Sequence, residues 1–195
     1  MDTRKLKKLA RIAILAAVGA ALALIPGIPI IPPIYKLDFS MLPVLLAGFA
    51  MGPVSGAIVA FLKGLISLLT SSSMGVGELA DFLMGVSLMV PATLIYRKMR
   101  TFRGALVGLV AGIVISSVVA VLCNWLILIP FYGNAFHMPV EAIVGMIAKV
   151  IPAVHNMLTL LLLATLPFNL LKGIVLAVLT LLLYKRLSFL LKDAK

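Results

Sequence analysis

Six apolar segments, separated by polar or proline-containing connections, dominate the chain. They span about residues 10–26, 41–52, 54–70, 78–96, 104–129 and 154–184. Such segments are typical of transmembrane helices, which need roughly 20 apolar residues to cross the hydrocarbon core of a bilayer. The pattern therefore predicts an all-α integral membrane protein in which residues 1–195 form one domain, a compact bundle of six transmembrane helices.

Two of these segments carry signs of their local geometry. The second and third meet at Gly52-Pro53, a turn signal too short for a linker between domains, so we expect the two to form a hairpin. The last segment is longer than one membrane crossing needs, which predicts that it is tilted or broken near Pro167.

Composition supports the membrane assignment. Hydrophobic residues make up 63% of the chain and its mean hydropathy is +1.23. Soluble domains contain roughly 45–50% apolar residues, so the surplus apolar surface must contact lipid.

The charge of the chain follows its predicted topology. The formal net charge is +11, and thirteen of the seventeen Lys and Arg residues fall in clusters at 4–11, 97–103 and 185–195. All three clusters lie on the same side of a six-helix path, so the positive-inside rule places the N and C termini in the cytoplasm. This distribution argues against nucleic-acid binding. The basic start followed by Ala21-Leu22-Ala23 also imitates a cleavable secretory signal, but we expect the first helix to remain uncleaved.

Polar side chains inside apolar segments mark the predicted ligand site. Asn169 and Lys172 lie on one face of a helix because they are three residues apart, and Pro167 frees a backbone carbonyl beside them. A charge at the centre of a bilayer costs at least ~2.5 kcal/mol on insertion scales, so a lysine there implies a binding or coupling role. Asn124, in the fifth segment, completes a convergent polar set of the kind that small-molecule sites require.

The connection after the first segment, residues 27–40, is predicted to be an outer loop that acts as a lid. Prolines stiffen it, and Tyr35-Lys36-Leu37-Asp38-Phe39 gives it two charges and two aromatic rings. Ser40 stands where it can cap the next helix, whose first turn contains Pro43. The role of Asp38 stays open at this level.

Glu78 and Asp81 are carboxylates in the first turn of a predicted helix, where the helix dipole favours negative charge. Lys63, a second lysine inside an apolar segment, needs a partner, and one of these two acids can supply it. We weigh that pairing equally with direct contact to a ligand.

Stripes of small residues permit close helix packing in a membrane. On the first helix Ala13, Ala17 and Ala21 recur at four-residue spacing, with Ala16 and Ala20 beside them. Docking to a partner helix and packing inside the bundle explain this stripe about equally well. Two glycine stripes favour packing inside the bundle: Gly48, Gly52 and Gly56, and Gly104, Gly108 and Gly112.

Catalytic patterns are mostly absent from the sequence. It contains no G-x-x-x-x-G-K-[ST] phosphate loop, and its two histidines and one cysteine give no recognisable metal cluster. We therefore predict a transport protein that is not an enzyme, without cofactor or metal.

Several motifs resemble a known family across nearly the whole chain. They include Lys36 through Ser40, Phe61-Leu62-Lys63, Gly77 through Phe82, Leu128 through Tyr132, and, most specific of all, Leu166 through Gly173. These motifs resemble the riboflavin-binding S components of energy-coupling factor (ECF) transporters. The resemblance implies six helices, a vitamin pocket near the outer face closed by the loop after helix 1, and a face of helix 1 that docks a transmembrane coupling subunit. It also implies two ATPase subunits as energy source and a multi-pass location in a prokaryotic cell membrane.

The resemblance implies roles for single residues. Asn124, Asn169 and Lys172 look like the groups that hydrogen-bond the isoalloxazine edge of riboflavin, whose carbonyl and imide groups suit a lysine donor and two amides. The gating loop would consist of Tyr35, Lys36, Leu37, Asp38 and Phe39. The docking motif would consist of Ala13 and Ala17, with Ala16 and Ala20 beside them.

Two residues depart from the family pattern. Asp81 stands where the pattern Glu-Leu-Ala-Asn-Phe has asparagine, which weakens a direct ligand role and indicates a salt bridge with Lys63. Met41 replaces an acidic residue, so the lid is less acidic than expected. Glu78 and Asp81 nevertheless remain candidates for ligand contact.

The sequence thus predicts a substrate-capture subunit that binds riboflavin outside the cell and delivers it through a partner complex. A related S component for another vitamin is one alternative, since only the pocket would differ. A self-sufficient secondary transporter that uses Lys63 and Asp81 as a proton relay is another, although the sequence contains no evident inverted repeat.

Overall fold

Helices account for most of the chain in the structure, a computed structural model that describes residues 3–192. The extreme termini, predicted to be cytoplasmic, lie outside the described residues. In chain order the elements are α1 (Thr3–Leu24), β1 (Ile28–Ile31), β2 (Tyr35–Leu37), α2 (Leu42–Met51), α3 (Pro53–Ser67), α4 (Val76–Met99), α5 (Phe102–Cys123), α6 (Ile129–Ala135), α7 (Val140–Ala148), α8 (Met157–Leu160) and α9 (Leu166–Lys192).

Two π-helical segments join shorter helices into longer rods. Asn124–Leu128 connects α5 to α6, and Leu161–Thr165 connects α8 to α9. A proline follows each segment by two residues: Pro130 after the first and Pro167 after the second. Proline lacks an N–H and its ring collides with the carbonyl of the preceding turn, so a widened turn just before it relieves both problems. The last predicted segment is thus interrupted just before Pro167 by a π-helical turn.

Each of the six predicted segments overlaps one helical rod, and the structure adds α7 inside what the sequence presented as a connection. Within the described residues, four rods are long and apolar enough to cross a membrane: Pro53–Thr70, Val76–Met99, Phe102–Ala135 and Met157–Leu183. The fold is therefore that of an all-α integral membrane protein. The count of six membrane crossings stays a prediction.

The predicted lid contains a small antiparallel hairpin. β1 and β2 pair with Ile28 opposite Leu37 and Ile31 opposite Tyr35. Alternation along β2 buries Tyr35 and Leu37 and leaves Lys36 exposed. Two side chains of one short strand therefore anchor the lid to the helices beneath it.

Glycines bring α4 and α5 into close contact. A Cβ at Gly108 would collide with the carbonyl oxygen of Ala92, and a Cβ at Gly112 with that of Leu88. Such close approach replaces the hydrophobic driving force that lipid does not supply between helices. On the other side of α4, Gly48 and Gly56 make room for the side chain of Met89. The glycine stripes pack inside the bundle, as the sequence predicted.

Two buried clusters form the interior. The larger lies where α1 to α5 meet α9 and is centred on fully buried residues such as Val44, Met89 and Leu109. The smaller gathers side chains of α6, α7, the rod of α8 and α9, and the lid residue Tyr35. The lid touches both clusters, since Phe39 packs against the larger one.

Gly112→Ala should lower the melting temperature of the detergent-purified protein by several degrees. Overpacking typically costs ~1–3 kcal/mol, and 1 kcal/mol corresponds to about 2–4 °C in a chain of this size. Gly64→Ala on α3 is the matched control because nothing lies within 4 Å of its Cβ position. That control should melt at the wild-type temperature or slightly above, since alanine is the better helix former. Equal melting temperatures for the two variants would contradict the α4–α5 contact.

Candidate functional site

Lys172 on α9 forms an ion pair with Asp38 of the lid. Lys172 Nζ lies 2.6 Å from Asp38 Oδ2, and the lysine side chain is only 14% exposed. The other carboxylate oxygen, Oδ1, accepts hydrogen bonds from the backbone N–H and the hydroxyl of Ser40. Asp38, whose role the sequence left open, is therefore the counter-ion of the lysine predicted to bind a ligand.

The charges around Asp38 keep its carboxylate ionised. Burial alone would raise the pKa of the Asp38 carboxyl, but the Lys172 ammonium and the hydrogen bonds from Lys172 and Ser40 outweigh it. The pKa of Asp38 consequently lies well below its usual value. The ion pair with Lys172 therefore persists through neutral and mildly acidic pH.

Lys63 on α3 is a second buried lysine with a carboxylate partner. Its Nζ lies 2.5 Å from Asp81 Oδ2 and donates a further hydrogen bond of 2.8 Å to Ser40 Oγ. The predicted pairing of Lys63 with one of two acids is confirmed, and Asp81 is that acid. Removing one member of a buried pair leaves an uncompensated charge, so this contact is a strong constraint on how α3 and α4 pack.

Ser40 does not cap α2, and that prediction was wrong. The N-cap position of α2 is Met41, which makes no side-chain cap hydrogen bond. The Ser40 hydroxyl instead lies between two charged groups, Lys63 and Asp38. Hydrogen bonds to charged groups are roughly twice as strong as neutral ones, so these partners prevail over the helix end.

Tyr35 fastens the other part of the lid to α9 and the π-helical segment before it. Its hydroxyl lies 2.5 Å from Thr165 Oγ1, and its ring packs against Phe168 with centroids 5.1 Å apart. Burial raises the pKa of the Tyr35 hydroxyl, and the hydrogen bond with Thr165 offsets only part of this effect. Tyr35 therefore stays a neutral hydrogen-bonding group.

The two predicted ligand-binding amides, Asn124 and Asn169, both lie beside π-helical segments. Asn124 opens the first segment and donates from Nδ2 to Ala120 O at 2.8 Å. Asn169 donates from Nδ2 to the carbonyl of Thr165, the last residue of the second segment, also at 2.8 Å. Within residues 3–192 neither side-chain oxygen has a hydrogen-bond partner. Each amide thus keeps an acceptor for a further group.

Two cavities flank the ion pairs. A narrow one of about 30 Å³ is lined by Asp81, Asn169 and Lys172 together with apolar side chains. A polar one of about 300 Å³ is lined in part by residues of the lid. Its charged and hydroxyl-bearing lining includes Lys36, Asp38, Ser40, Lys63, Ser67, Thr70, Ser72, Glu78 and Asp81.

The predicted site residues are therefore only partly brought together. Asn169, Lys172 and Asp81 meet at the narrow cavity, whereas Asn124 is not among the residues lining either of the two cavities. Glu78 borders the polar cavity and accepts hydrogen bonds from the hydroxyls of Ser71 and Ser73 at 2.8 and 2.9 Å. Those bonds hold the loop that contains Ser71 and Ser73 against the first turn of α4.

The predicted docking stripe of α1 splits between two faces. Ala16 and Ala20 are buried, 1% and 4% exposed, where α1 packs on α2 and α3. Ala13 and Ala17 are exposed. Ala16 and Ala20 therefore do not belong to the predicted docking surface, because they pack inside the bundle. Nearby, the Cβ position of Gly19 lies 3.2 Å from the Ser40 carbonyl oxygen and 3.3 Å from the Lys63 side chain.

Sequence reasoning missed several residues that shape the site. Thr165 and Phe168 hold Tyr35, and the Met41 side chain occupies the space that a Cβ at Gly85 would need. Thr165 could have been found from the sequence because it lies four residues before Asn169. A hydroxyl and an amide one turn apart share a helix face, which places Thr165 on the face of the predicted site. The contact of Met41 with Gly85 left no such signal, since it joins distant parts of the chain.

This architecture defines a class of protein: an integral membrane protein with a small polar site to which a surface loop is bonded. Over residues 7–184 the chain matches the family described as the ECF transporter, substrate-specific component. A solved structure of the S component of a bacterial ECF transporter superposes with a TM-score of 0.74 at 34% identity, covering 96% of this chain and 99% of the other.

Two curated relatives agree with that match. The riboflavin transporter RibU of Staphylococcus aureus (strain TCH60) is 36% identical over 161 residues, which is 83% of this chain and 79% of that protein. The riboflavin transporter FmnP of Bacillus subtilis (strain 168) is 27% identical over 160 residues, 80% and 78% of the two chains. The chain belongs to the family of substrate-specific (S) components of ECF transporters.

Tyr35→Phe should lower the melting temperature, because it leaves the buried Thr165 hydroxyl without its partner; such an orphaned group costs about 1–3 kcal/mol. The double variant Tyr35→Phe/Thr165→Val should recover much of that loss, since both polar groups are then gone. Thermal unfolding in one detergent measures both. A double variant less stable than either single one would contradict a direct Tyr35–Thr165 bond.

Proposed function

We propose that this chain captures riboflavin from outside the cell as the substrate-binding subunit of an ECF transporter. The observation that carries the proposal is the pair Asn169 and Lys172 lining one cavity, with Lys172 bound to Asp38 of the lid, in a chain 36% identical to a riboflavin transporter. Asn124, Asn169 and Lys172 are the groups that hydrogen-bond the ligand. Tyr35 to Phe39 form the gate.

The chemistry of the site supports a flavin. The pyrimidine edge of the isoalloxazine ring presents carbonyl acceptors and an imide N–H donor. A lysine only donates, while an asparagine amide both donates and accepts, so the pair Asn169 and Lys172 matches that edge. The free amide oxygen of Asn169 is the acceptor for the imide, and the apolar lining from Leu45, Leu88 and Leu176 suits the flat ring.

Ligand binding requires the cavity at Lys172 to open. Small-molecule sites typically enclose about 300–1,000 Å³, far more than the cavity of about 30 Å³ between Lys172 and Met41. Because the Lys172 ammonium is bound to the Asp38 carboxylate, a flavin carbonyl must replace or rearrange that ion pair. The lid therefore moves during binding, and Lys172 exchanges part of its bonding with Asp38 for a bond to the ligand.

Coupling and ATP hydrolysis are the roles of other subunits of the proposed transporter. The family assignment supports a transmembrane coupling subunit and two ATPase subunits as partners in a bacterial plasma membrane, with this chain crossing the membrane six times and both termini in the cytoplasm. The chain itself does not hydrolyse ATP. Ala13 and Ala17 offer the coupling subunit a small-residue surface that permits close approach of a partner helix.

Lys172→Met and Asn169→Ala should each weaken riboflavin binding about tenfold or more, because each removes a hydrogen bond in a site shielded from water. Titration of the detergent-purified protein, followed by quenching of flavin fluorescence, measures the dissociation constant. Lys149→Met is the matched control, since Lys149 is an exposed lysine outside the site.

The wild-type protein should also carry flavin absorption bands when purified from cells supplied with riboflavin. A colourless protein that ignores added riboflavin would overturn the ligand assignment, and competition by thiamin, biotin or pantothenate would then identify another vitamin. Equal affinities in Lys172→Met and Lys149→Met would contradict the role of Lys172.

Replacing Ala13 and Ala17 by tryptophan should prevent assembly with the coupling and ATPase subunits while leaving riboflavin affinity unchanged. Bulky side chains keep helices apart that small residues allow to touch. Co-purification of the complex and riboflavin titration of the isolated subunit measure the two effects. Ile14→Trp, at a 62% exposed position on the same helix, is the control and should assemble normally. Loss of ligand binding together with assembly would place the stripe inside the fold instead.

A further inference from the structure

A continuous chain of polar contacts runs from α4 to α9 through the lid. Asp81 accepts from Lys63, Lys63 donates to Ser40, Ser40 donates to Asp38, and Asp38 accepts from Lys172. The longest of these four contacts is 2.8 Å. Two buried lysines on different helices are thereby connected through two lid residues.

The direction of each hydrogen bond in this series of polar contacts follows from the chemistry of the groups involved. An ammonium group has donors and no acceptor, so the Ser40 hydroxyl must accept from Lys63. The single hydrogen of that hydroxyl is then left for Asp38, which as a carboxylate can only accept. Lys63 therefore orients the hydroxyl that holds Asp38, although it does not touch Asp38 or Lys172 through a direct hydrogen bond.

Burial fixes the Lys63 side chain within this series of polar contacts. Its side chain is 4% exposed, and its ammonium group has an oxygen on α4, an oxygen of the lid and the Met41 sulfur, 3.6 Å away, as neighbours. An ammonium group in such a place is costly to leave without partners, so it cannot release Ser40 without a replacement. Asp81 also borders both the narrow and the polar cavity, which places the Lys63–Asp81 pair at the wall between them.

We propose that Lys63 is a positioning residue of the ligand site: by orienting Ser40 it holds Asp38 against Lys172 and so keeps the lid closed against α9. This inference deepens the proposed function, because it assigns control of the gate to a residue that does not line the narrow cavity. The Asp81 carboxylate serves to keep Lys63 in place. Tyr35, through Thr165, fastens the lid by a separate path.

Trypsin gives a measure of lid opening that needs no ligand. Lys36 is exposed but the next residue, Leu37, is buried, so cleavage of the bond between them requires the lid to open. When opening is fast relative to cleavage, the cleavage rate reports the population of the open form. Mass spectrometry of the fragments identifies this cut among those at other basic residues.

The test is a double-variant cycle between Lys63 and Ser40. Lys63→Met also leaves the Asp81 carboxylate without its partner, but this cost is the same with and without Ser40→Ala and cancels in the cycle. In the wild-type background Lys63→Met and Ser40→Ala should each speed cleavage after Lys36 about tenfold or more, as expected for loss of a charged hydrogen bond. The two together should give about the same change as Lys63→Met alone, because they break one link.

Two outcomes would overturn the positioning role. One is a rate in the double variant equal to the product of the single effects, roughly a hundredfold. The other is cleavage at the starting rate in both single variants. Melting temperatures measured in parallel identify general destabilisation, which would speed cleavage after buried and exposed basic residues alike. Tyr35→Phe combined with Lys63→Met is the control, and its effects should multiply because Tyr35 holds the lid through Thr165.

The same variants titrated with riboflavin separate this inference from the proposed function. Non-additive effects on the riboflavin dissociation rate, parallel to the cleavage rates, support both. A wild-type protein that does not bind riboflavin but shows non-additive cleavage would sink the proposed ligand and still support Lys63 as the residue that holds the lid. Normal riboflavin binding together with cleavage effects that multiply would support the proposed ligand and overturn Lys63 as the residue that holds the lid.

Discussion

The structure depends on the need to give two lysines inside an apolar bundle a set of hydrogen-bond acceptors. Lys63 and Lys172 lie on rods that are long and apolar enough to cross a membrane, where an isolated charge is costly, and each has a carboxylate within 2.6 Å. One of these carboxylates, Asp38, belongs to the lid. Since the lysine on α9 needs Asp38, this ion pair holds the lid against the bundle, and the charge that we propose for ligand binding also fastens the lid.

The lid is held by contacts of different kinds at Tyr35 and at Asp38 and Ser40. Tyr35 inserts into the smaller buried cluster and bonds to Thr165, whereas Asp38 and Ser40 join the two lysines. Apolar burial gives the lid a stable resting place. Ionic contacts are strong only while their geometry holds, so a ligand able to satisfy Lys172 can compete with Asp38. This combination suits the proposed gate, which must stay closed without substrate and still open.

A proline and an asparagine accompany each π-helical turn. Each turn precedes a proline, and each has an asparagine within four residues of one of its ends. The amides of Asn124 and Asn169 bond to backbone carbonyls four residues earlier, those of Ala120 and Thr165. Half of each amide is thereby occupied by its own helix, which fixes the orientation in which the free oxygen is presented.

Much about this protein followed from the sequence alone. Hydrophobic patterning and composition indicated the membrane class, helical spacing placed Asn169 and Lys172 on one face, and glycine spacing indicated packing inside the bundle. Each of these inferences depends on residues near one another in the chain. The counter-ion of Lys172, the choice of Asp81 over Glu78 for Lys63, the two faces of the α1 alanines and the role of Ser40 were decided only by tertiary structure. The contacts that Lys63 makes with Asp81 and Ser40, and Lys172 with Asp38, join residues 18 to 134 positions apart. Local periodicity carries no information about which distant partner a buried charge will meet.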